Sequence, residues 1–112
     1  MKQFMYLFRG GPTEPSSPEQ MEAVMDKWKT WMGGLAAKGL LNGGEPLQNE
    51  GVQVTNGGNT ITDGPFTEGK EIVGGYLSIN AKDMDEAVEL SKECPQLDFP
   101  DGQIEVREIM KM

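Results

Sequence analysis

Hydrophobic and polar residues alternate with a period of two in three segments of the chain, a pattern typical of β-strands. In residues 2–9 one face carries the aromatic side chains Phe4, Tyr6 and Phe8. The other face of that segment carries Met5, Leu7 and Arg9. Residues 71–80 and 103–109 alternate in the same way, so the pattern predicts a first, a central and a last strand.

Between these strands the pattern changes to spacings of three and four, which predicts two helices. Ser17, followed by Pro18 and Gln20, predicts a capped start for the first helix, which ends by Gly39 at the latest. Its buried stripe is expected to comprise Met21, Val24, Met25, Trp28, Met32 and Leu35, with Trp31 at the edge. Asp83 with Glu86 caps the second helix, and Pro95 stops it. That helix is expected to bury Met84, Ala87, Val88, Ser91 and Cys94.

The remaining segments predict a short strand near residues 40–48 and a β-hairpin near residues 51–66. The hairpin has Val52 and Val54 before a turn at Asn56–Asn59, and Ile61 after it. The order strand, helix, strand, hairpin, strand, helix, strand predicts an α+β fold. We expect a ferredoxin-like split βαβ sandwich with an inserted β-hairpin, in which both helices cover one face of an antiparallel sheet.

Two helices on one face would leave the other sheet face bare, and its residues are too apolar to remain in water. We expect this open face to carry Met5, Leu7, Arg9, Ile72, Tyr76, Glu105 and Arg107. Glu105 and Arg107 would form an ion pair there, because an unpaired charge near an interface is costly. The pattern therefore predicts a homodimer through the open sheet face.

Composition narrows the functional classes. The chain has 112 residues, enough for a single domain over residues 1–112, and a formal net charge of −8. That charge argues against nucleic acid and against an anionic membrane as partners. The absence of histidine and the single cysteine exclude histidine-based catalysis and a zinc site, so we expect no metal and no cofactor. Because Cys94 cannot form an intrachain disulfide, we expect a cytoplasmic protein.

Several short motifs together carry a family resemblance. "TDGPF" at residues 62–66 precedes "EGKEIVGGY", with "GGEPL" upstream, "ECP" at the end of the second helix and a terminal "IEVREI". In this combination the chain resembles the YCII-related superfamily, specifically its DGPF branch. The resemblance implies a ferredoxin-like fold, a dimeric α+β barrel, and a pocket near Glu45. The superfamily is associated with a histidine and aspartate pair, which this chain departs from because it has no histidine.

Two interpretations of the TDGPF stretch stay open. Asp63, Gly64 and Pro65 are turn residues, so the stretch can be a corner plugged by Phe66. Alternatively, Asp63 faces an apolar pocket beside Phe66 and Tyr76 and acts as a general base.

In the second interpretation, Arg9 or Arg107 would hold the carboxylate or enolate of a small anionic ligand. Lys70 would orient it as well, unless it is simply solvated at the start of a strand. The sequence thus leaves three classes of function: a cofactor-independent lyase or isomerase with a carboxylate base in a dimer-interface pocket, a dimeric ligand-binding module, and an accessory dimer that serves another protein.

Overall fold

The computed structural model of the protein describes residues 1–11, 17–64 and 72–112. These residues form six strands and two α-helices: β1 (Lys2–Arg9), α1 (Pro18–Ala37), β2 (Leu41–Pro46), β3 (Val52–Thr55), β4 (Thr60–Asp63), β5 (Val73–Ala81), α2 (Met84–Ser91) and β6 (Gln103–Glu108). A short 3₁₀ helix, Pro95–Asp98, connects α2 to β6.

Four strands form one sheet in the order β2-β5-β1-β6, and every neighbouring pair is antiparallel. The first and last long strands of the chain, β1 and β6, are thus neighbours, and β5 lies on the other side of β1. Each half of the fold consists of a strand, a helix and a strand, and both strands of each half belong to this sheet. The arrangement confirms the predicted α+β, ferredoxin-like split βαβ sandwich.

The core lies on the helix side of the sheet. Its buried side chains come from β1, β5, both helices and the segment that follows α2: Phe4, Tyr6, Phe8, Trp31, Leu35, Leu77, Ile79, Ala81, Ala87 and Cys94. The Tyr6 hydroxyl donates a hydrogen bond to the backbone carbonyl of Ala87, which joins β1 to α2 through the core. This bond satisfies the one polar atom of a tyrosine that has no exposed surface.

Both helix starts follow the predicted caps. The Gln20 backbone N–H donates to Ser17 Oγ at 3.1 Å, and the Ser17 N–H donates to Gln20 Oε1 at 3.0 Å, which completes a capping box. At α2 the Glu86 N–H donates to Asp83 Oδ1 at 2.9 Å. These bonds satisfy backbone N–H groups at the helix starts, which have no partner within the helix.

The predicted helix faces need correction. Met21 and Met25 of α1 are 58% and 54% exposed, because the first half of the helix extends beyond the side chains that the sheet offers. Trp31, which was expected at the edge of the stripe, is 8% exposed and central to the core. On α2, Met84 and Val88 are exposed, so this helix buries a narrower face that is centred on Ala87.

The hairpin β3–β4 forms a second, two-stranded sheet of its own, as the sequence predicts. Its turn uses the left-handed conformation at Asn56 and Gly57, with φ of 55° and 64°. Val52, Val54 and Ile61 are 57–68% exposed, so the hairpin contributes little to the core. The Cα radius of gyration is 15.6 Å, against about 13 Å for a compact chain of this size, and the overall extents are 45 × 44 × 20 Å.

Candidate functional site

A cavity of about 370 Å³ lies between the middle of α1 and the adjoining end of the sheet. The helix contributes Met25, Trp28 and Met32 to its wall, and the strands contribute Phe8 and Leu77. All of these side chains are apolar, and two are aromatic. Small-molecule sites have volumes of about 300–1,000 Å³ and mainly apolar walls, so this cavity has the size and lining of a site for a small ligand.

Glycines on β2 and β5 explain why the sheet does not fill this space. In the register, Gly75 of β5 pairs with Phe8 of β1 on one side and with Pro46 of β2 on the other. Phe8 places a side chain in the core at this level, whereas Gly75 has none to place there. An added Cβ on Gly75 would lie 3.1 Å from the backbone oxygen of Glu45, and one on Gly44 would lie 2.2 Å from a backbone oxygen of β5. The close approach of the two strands therefore requires glycine, and the cavity floor is main chain.

A cluster of aromatic rings holds the cavity wall in place. Trp28 packs edge-on against Phe8, with ring centroids 5.2 Å apart, and edge-on against Trp31 at 5.7 Å. Trp31 is anchored in turn by its indole N–H, which donates to the Leu90 carbonyl at 3.0 Å. Such contacts restrict ring movement, so Trp28 presents a fixed surface to the cavity while Trp31 belongs to the packing between the helices.

One buried polar side chain, Gln96 on the 3₁₀ helix, also lines the cavity. Its Nε2 donates to the carbonyl oxygens of Arg9 at 2.8 Å and Gly10 at 3.2 Å. The surrounding backbone is tightly packed, because a Cβ on Gly102 would lie 1.8 Å from the Gln96 carbonyl oxygen and one on Gly10 would lie 1.9 Å from that of Asp101. Gln96 is thus fixed at the end of β1.

The other face of the sheet carries a row of polar and apolar groups. In the register Glu45 pairs with Tyr76, Tyr76 with Leu7, and Leu7 with Glu105, so these four residues cross the sheet side by side. Paired residues of antiparallel strands share a face, and Phe8 on the alternate face is in the core. The side chains of the row therefore project from the open face.

Glu105 contacts two arginines on this face and balances one of their two positive charges. Arg9 Nη1 pairs with Glu105 Oε1, and Arg107 Nε lies 3.8 Å from Glu105 Oε2. Arg9 is the less exposed of the two, with 27% of its side chain accessible against 72% for Arg107. The expected pairing of Glu105 with Arg107 is present, and Arg9 is a further partner that the sequence did not identify.

Two titratable groups in the core are held neutral. Burial raises the pKa of the Cys94 thiol to about 12, so the thiolate is absent at neutral pH. Burial, and then the neighbouring Cys94, raises the pKa of the Tyr6 hydroxyl well above its ordinary range. Neither group is a nucleophile or base near pH 7.

The sequence model of the YCII-related domain family matches residues 4–112 of this chain. This chain belongs to the YCII-related family. No curated protein matches it significantly. One similar solved structure is the 5-chloro-2-hydroxyhydroquinone dehydrochlorinase (TftG) from Burkholderia phenoliruptrix AC1100, in complex with 2,5-dihydroxybenzoquinone. It shares 17% identity over 94% of this chain and 91% of that chain, with a TM-score of 0.43. This likeness is too distant to transfer that ligand or reaction to the present YCII-related protein.

The structure brings some of the predicted site residues together and separates others. Glu45 and Tyr76 border the cavity on strands β2 and β5, while their side chains share the open face with Arg9 and Arg107. Asp63 is exposed at the end of β4, opposite Val52 in the separate hairpin, and does not line the cavity. Its role as a base stays a prediction.

Two further predicted residues, Phe66 and Lys70, lie outside the described residues. Sequence reasoning missed Gln96 altogether and considered Trp28 only as a core residue. Adjacent glycines occur in two strands, Gly43–Gly44 in β2 and Gly74–Gly75 in β5. They are the signal that would have indicated missing side chains in this part of the sheet.

A second, wider hollow of about 590 Å³ lies on the outside, between α1 and α2. Its rim mixes charges of both signs, including Lys27 and Asp98, whose Nζ and Oδ2 atoms are 3.5 Å apart. Among the described residues, no three carboxylate or thiol groups gather closely enough to hold a metal ion. In the same ranges, no helix has both the length and the apolar character needed to cross a membrane.

Proposed function

We propose that this YCII-related protein binds a small, largely apolar aromatic molecule in the cavity between α1 and the sheet. The observation that carries the proposal is the combination of an aromatic wall with a floor of glycine backbone. Ligand sites are clefts of about this size with mainly apolar walls and a few polar groups, and this cavity has both features. Trp28 and Phe8 are already fixed by mutual packing, so binding requires little ordering of the wall.

The shape and composition of the wall favour a planar ligand. Edge-on packing of Trp28 against Phe8 leaves ring surface available to a third aromatic group, which prefers offset or edge contacts with such rings. Met25 and Met32 complete the wall from α1. Their unbranched thioether side chains adapt to the outline of a ligand and make favourable contacts with aromatic rings.

The charges around the cavity disfavour an anionic ligand. Among the described lining residues there is no lysine or arginine, and Glu45 is acidic. Arg9 and Arg107 lie on the open face, where both contact Glu105. The expectation of an anionic ligand held by these arginines therefore has no support at this cavity.

The proposal includes a homodimer formed through the open face. Met5, Leu7 and Tyr76 remain partly exposed there in the single chain, and the neighbouring arginines are already paired with Glu105. Pairing removes the main penalty against burying these charges, while the apolar side chains gain from leaving water. In such a dimer the row of Glu45 and Tyr76 would face the partner.

That row is the specific observation in favour of a second candidate function, a cofactor-independent lyase or isomerase. A dimer interface would enclose the Glu45 carboxylate next to Tyr76, where it could move a proton on a small substrate. Asp63 is the other candidate base. Under this alternative, Asp63→Asn or Glu45→Gln abolishes turnover while the fold is kept, and retention of turnover in both variants would exclude a carboxylate mechanism that uses either residue.

Binding can be tested by ¹H–¹⁵N NMR titration with benzofuran, an apolar planar probe. We expect the indole N–H signal of Trp28 to shift, together with the amides of Gly74 and Gly75, while the signal of Trp31 stays in place. Trp31 is a matched control because its N–H already donates to the Leu90 carbonyl. The absence of any shift at Trp28 up to the solubility limit of benzofuran would refute the proposal.

A pair of methionine variants sharpens the test. Met25 and Met21 lie one turn apart on α1 and are similarly exposed, but only Met25 lines the cavity. Met25→Ala should weaken benzofuran binding several-fold because it removes part of the wall, and Met21→Ala should leave the affinity unchanged. Equal effects of the two substitutions would place binding elsewhere.

A further inference from the structure

Gln96 has the surroundings of a residue that is built to hold a ligand group. It is 8% exposed, lines the cavity, and stands on the 3₁₀ helix that packs against the end of β1. A buried side-chain amide is costly unless its hydrogen-bonding atoms have partners. The hydrogen-bonding atom of the Gln96 amide that has no protein partner therefore indicates which ligand group the cavity can bind.

The chemistry of its neighbours fixes the orientation of the Gln96 amide. Both contacts, to the backbone oxygens of Arg9 and Gly10, are with acceptors, so the group that faces them must be the NH₂ donor. The two N–H bonds of Nε2 are thereby used. The atom that remains is Oε1, which can only accept hydrogen bonds.

This oxygen is accessible. None of the hydrogen bonds among the described residues reaches Gln96 Oε1, and within the same residues no side-chain oxygen or nitrogen is both sealed from solvent and unpaired. Since Gln96 lies in the cavity wall and is otherwise buried, its free acceptor is open to the cavity. The tight packing of Gly102 against the Gln96 backbone fixes the main chain there, and the two hydrogen bonds of Nε2 hold the side chain.

We infer that Gln96 Oε1 orients the ligand, and that the ligand therefore carries a hydroxyl or N–H donor on its aromatic ring system. This inference rests on the proposed binding function and narrows it from apolar aromatic molecules to those that bear a donor. A ligand that presents only an acceptor to Gln96 would bring lone pairs together and would bind more weakly than one that presents a donor. Gln96 is thus a specificity-determining residue of the cavity.

Indole and benzofuran distinguish this inference from simple apolar binding. They have nearly the same shape, but indole has an N–H where benzofuran has an oxygen. A purely apolar cavity would prefer benzofuran, because the indole N–H would lose its hydrogen bond to water without replacement. If Gln96 accepts that N–H, the wild-type protein should bind indole more tightly, by about tenfold.

The Gln96→Met variant supplies the second comparison. It keeps the length of the side chain but removes the acceptor, so the preference for indole should disappear while benzofuran still binds. Because the variant also loses the bonds to Arg9 and Gly10, circular dichroism must show that it folds. If it does not, the wild-type affinity ratio and the shift of the Gln96 side-chain NH₂ signals on indole binding decide the question.

The outcomes separate the two proposals. Equal or weaker binding of indole relative to benzofuran in the wild-type protein overturns the role of Gln96 and leaves the binding cavity standing. An indole preference that persists in folded Gln96→Met also overturns it. Binding of neither probe refutes the proposed function itself, and this inference with it.

Discussion

On the helix side of the sheet, β1 presents Phe4, Tyr6 and Phe8, of which none is more than 7% exposed; on the other side the alternate residues Met5 and Leu7 stay partly exposed. The two sets differ by a single step along the same strand. On the helix side, α1 and α2 of the same chain cover the sheet. The open side carries apolar side chains beside ion-paired charges, and no helix of the described residues covers it.

The comparison teaches that one alternating strand supplies side chains to both faces of the sheet. Each face can leave a site for another molecule, and the reason differs between the two faces. No element formed by the described residues covers the open face. The helix side is covered but lacks side chains at Gly44 and Gly75, so a cavity remains beneath α1. We propose that the open face binds a second chain and that the cavity beneath α1 binds a ligand.

The largest expected difference between the faces is in stability. Phe4 is fully buried, and Phe4→Ala should lower the free energy of unfolding by about 3–5 kcal/mol because it leaves a cavity. Met5→Ala, one residue away on the open face, should cost about 1 kcal/mol or less in dilute protein. Urea denaturation at low protein concentration measures both, and similar losses would show that the open face is already buried under those conditions.

The next effect concerns association. Leu7→Glu places a carboxylate at the centre of the open face and should weaken the proposed homodimer by about 2 kcal/mol or more, at least about thirtyfold in Kd. Sedimentation equilibrium measures this directly. Ile61→Glu on the exposed hairpin is the control and should leave the dimer intact. Dissociation by Ile61→Glu but not by Leu7→Glu would move the interface to the hairpin.

The helix side should also give the protein a pH dependence at high pH. The pKa of Cys94 is about 12 in the folded chain and about 8.5 in an unfolded one, so the unfolded state releases its proton first. The stabilisation is complete below about pH 8.5 and is lost as pH rises toward 12, by up to about 1.4 kcal/mol per pH unit. Tyr6, whose pKa is also raised, adds to the loss above about pH 10.

Urea denaturation of wild type and Cys94→Ala between pH 8 and 11 isolates the cysteine contribution. The variant should show a flatter decline between about pH 8.5 and 10. Parallel curves for the two proteins in that range would contradict the raised pKa of the thiol.

The smallest effects are expected from the charges of the open face. Arg107 is mostly exposed, so Arg107→Gln should change the stability of dilute protein by less than about 0.5 kcal/mol. Arg9 is less exposed and contacts Glu105 more closely, so Arg9→Gln should cost about 1 kcal/mol. A larger cost for Arg107 than for Arg9 would reverse the assigned importance of the two ion pairs.

Much of the fold could be predicted from local signals. The alternation in β1, the Ser17–Gln20 capping box and the Asp83–Glu86 cap are recorded in neighbouring residues, and the structure confirms each of them. The order of elements then left few topologies to choose from. The burial of Met21, Met25, Met84 and Val88 was predicted wrongly, because helical spacing does not reveal where the facing sheet ends.

The candidate site was much less predictable. The cavity depends on where Gly44 and Gly75 come to lie after β2 and β5 pair, and that register is not local information. Gln96 is distant in sequence from Arg9, so nothing in its neighbourhood suggests that it holds the end of β1. Sequence reasoning instead favoured residues with conspicuous chemistry, such as Asp63, which the structure places on the separate hairpin.

The projecting hairpin affects how this protein travels through solution. A molecule 45 × 44 × 20 Å in extent has more frictional drag than a sphere of the same mass. A single chain of 12.3 kDa should therefore elute from a calibrated column earlier than its mass predicts and resemble a larger species. Assembly state must accordingly be read from light scattering or sedimentation equilibrium, which report mass independently of shape. Deletion of the hairpin should shift elution by more than the lost mass explains.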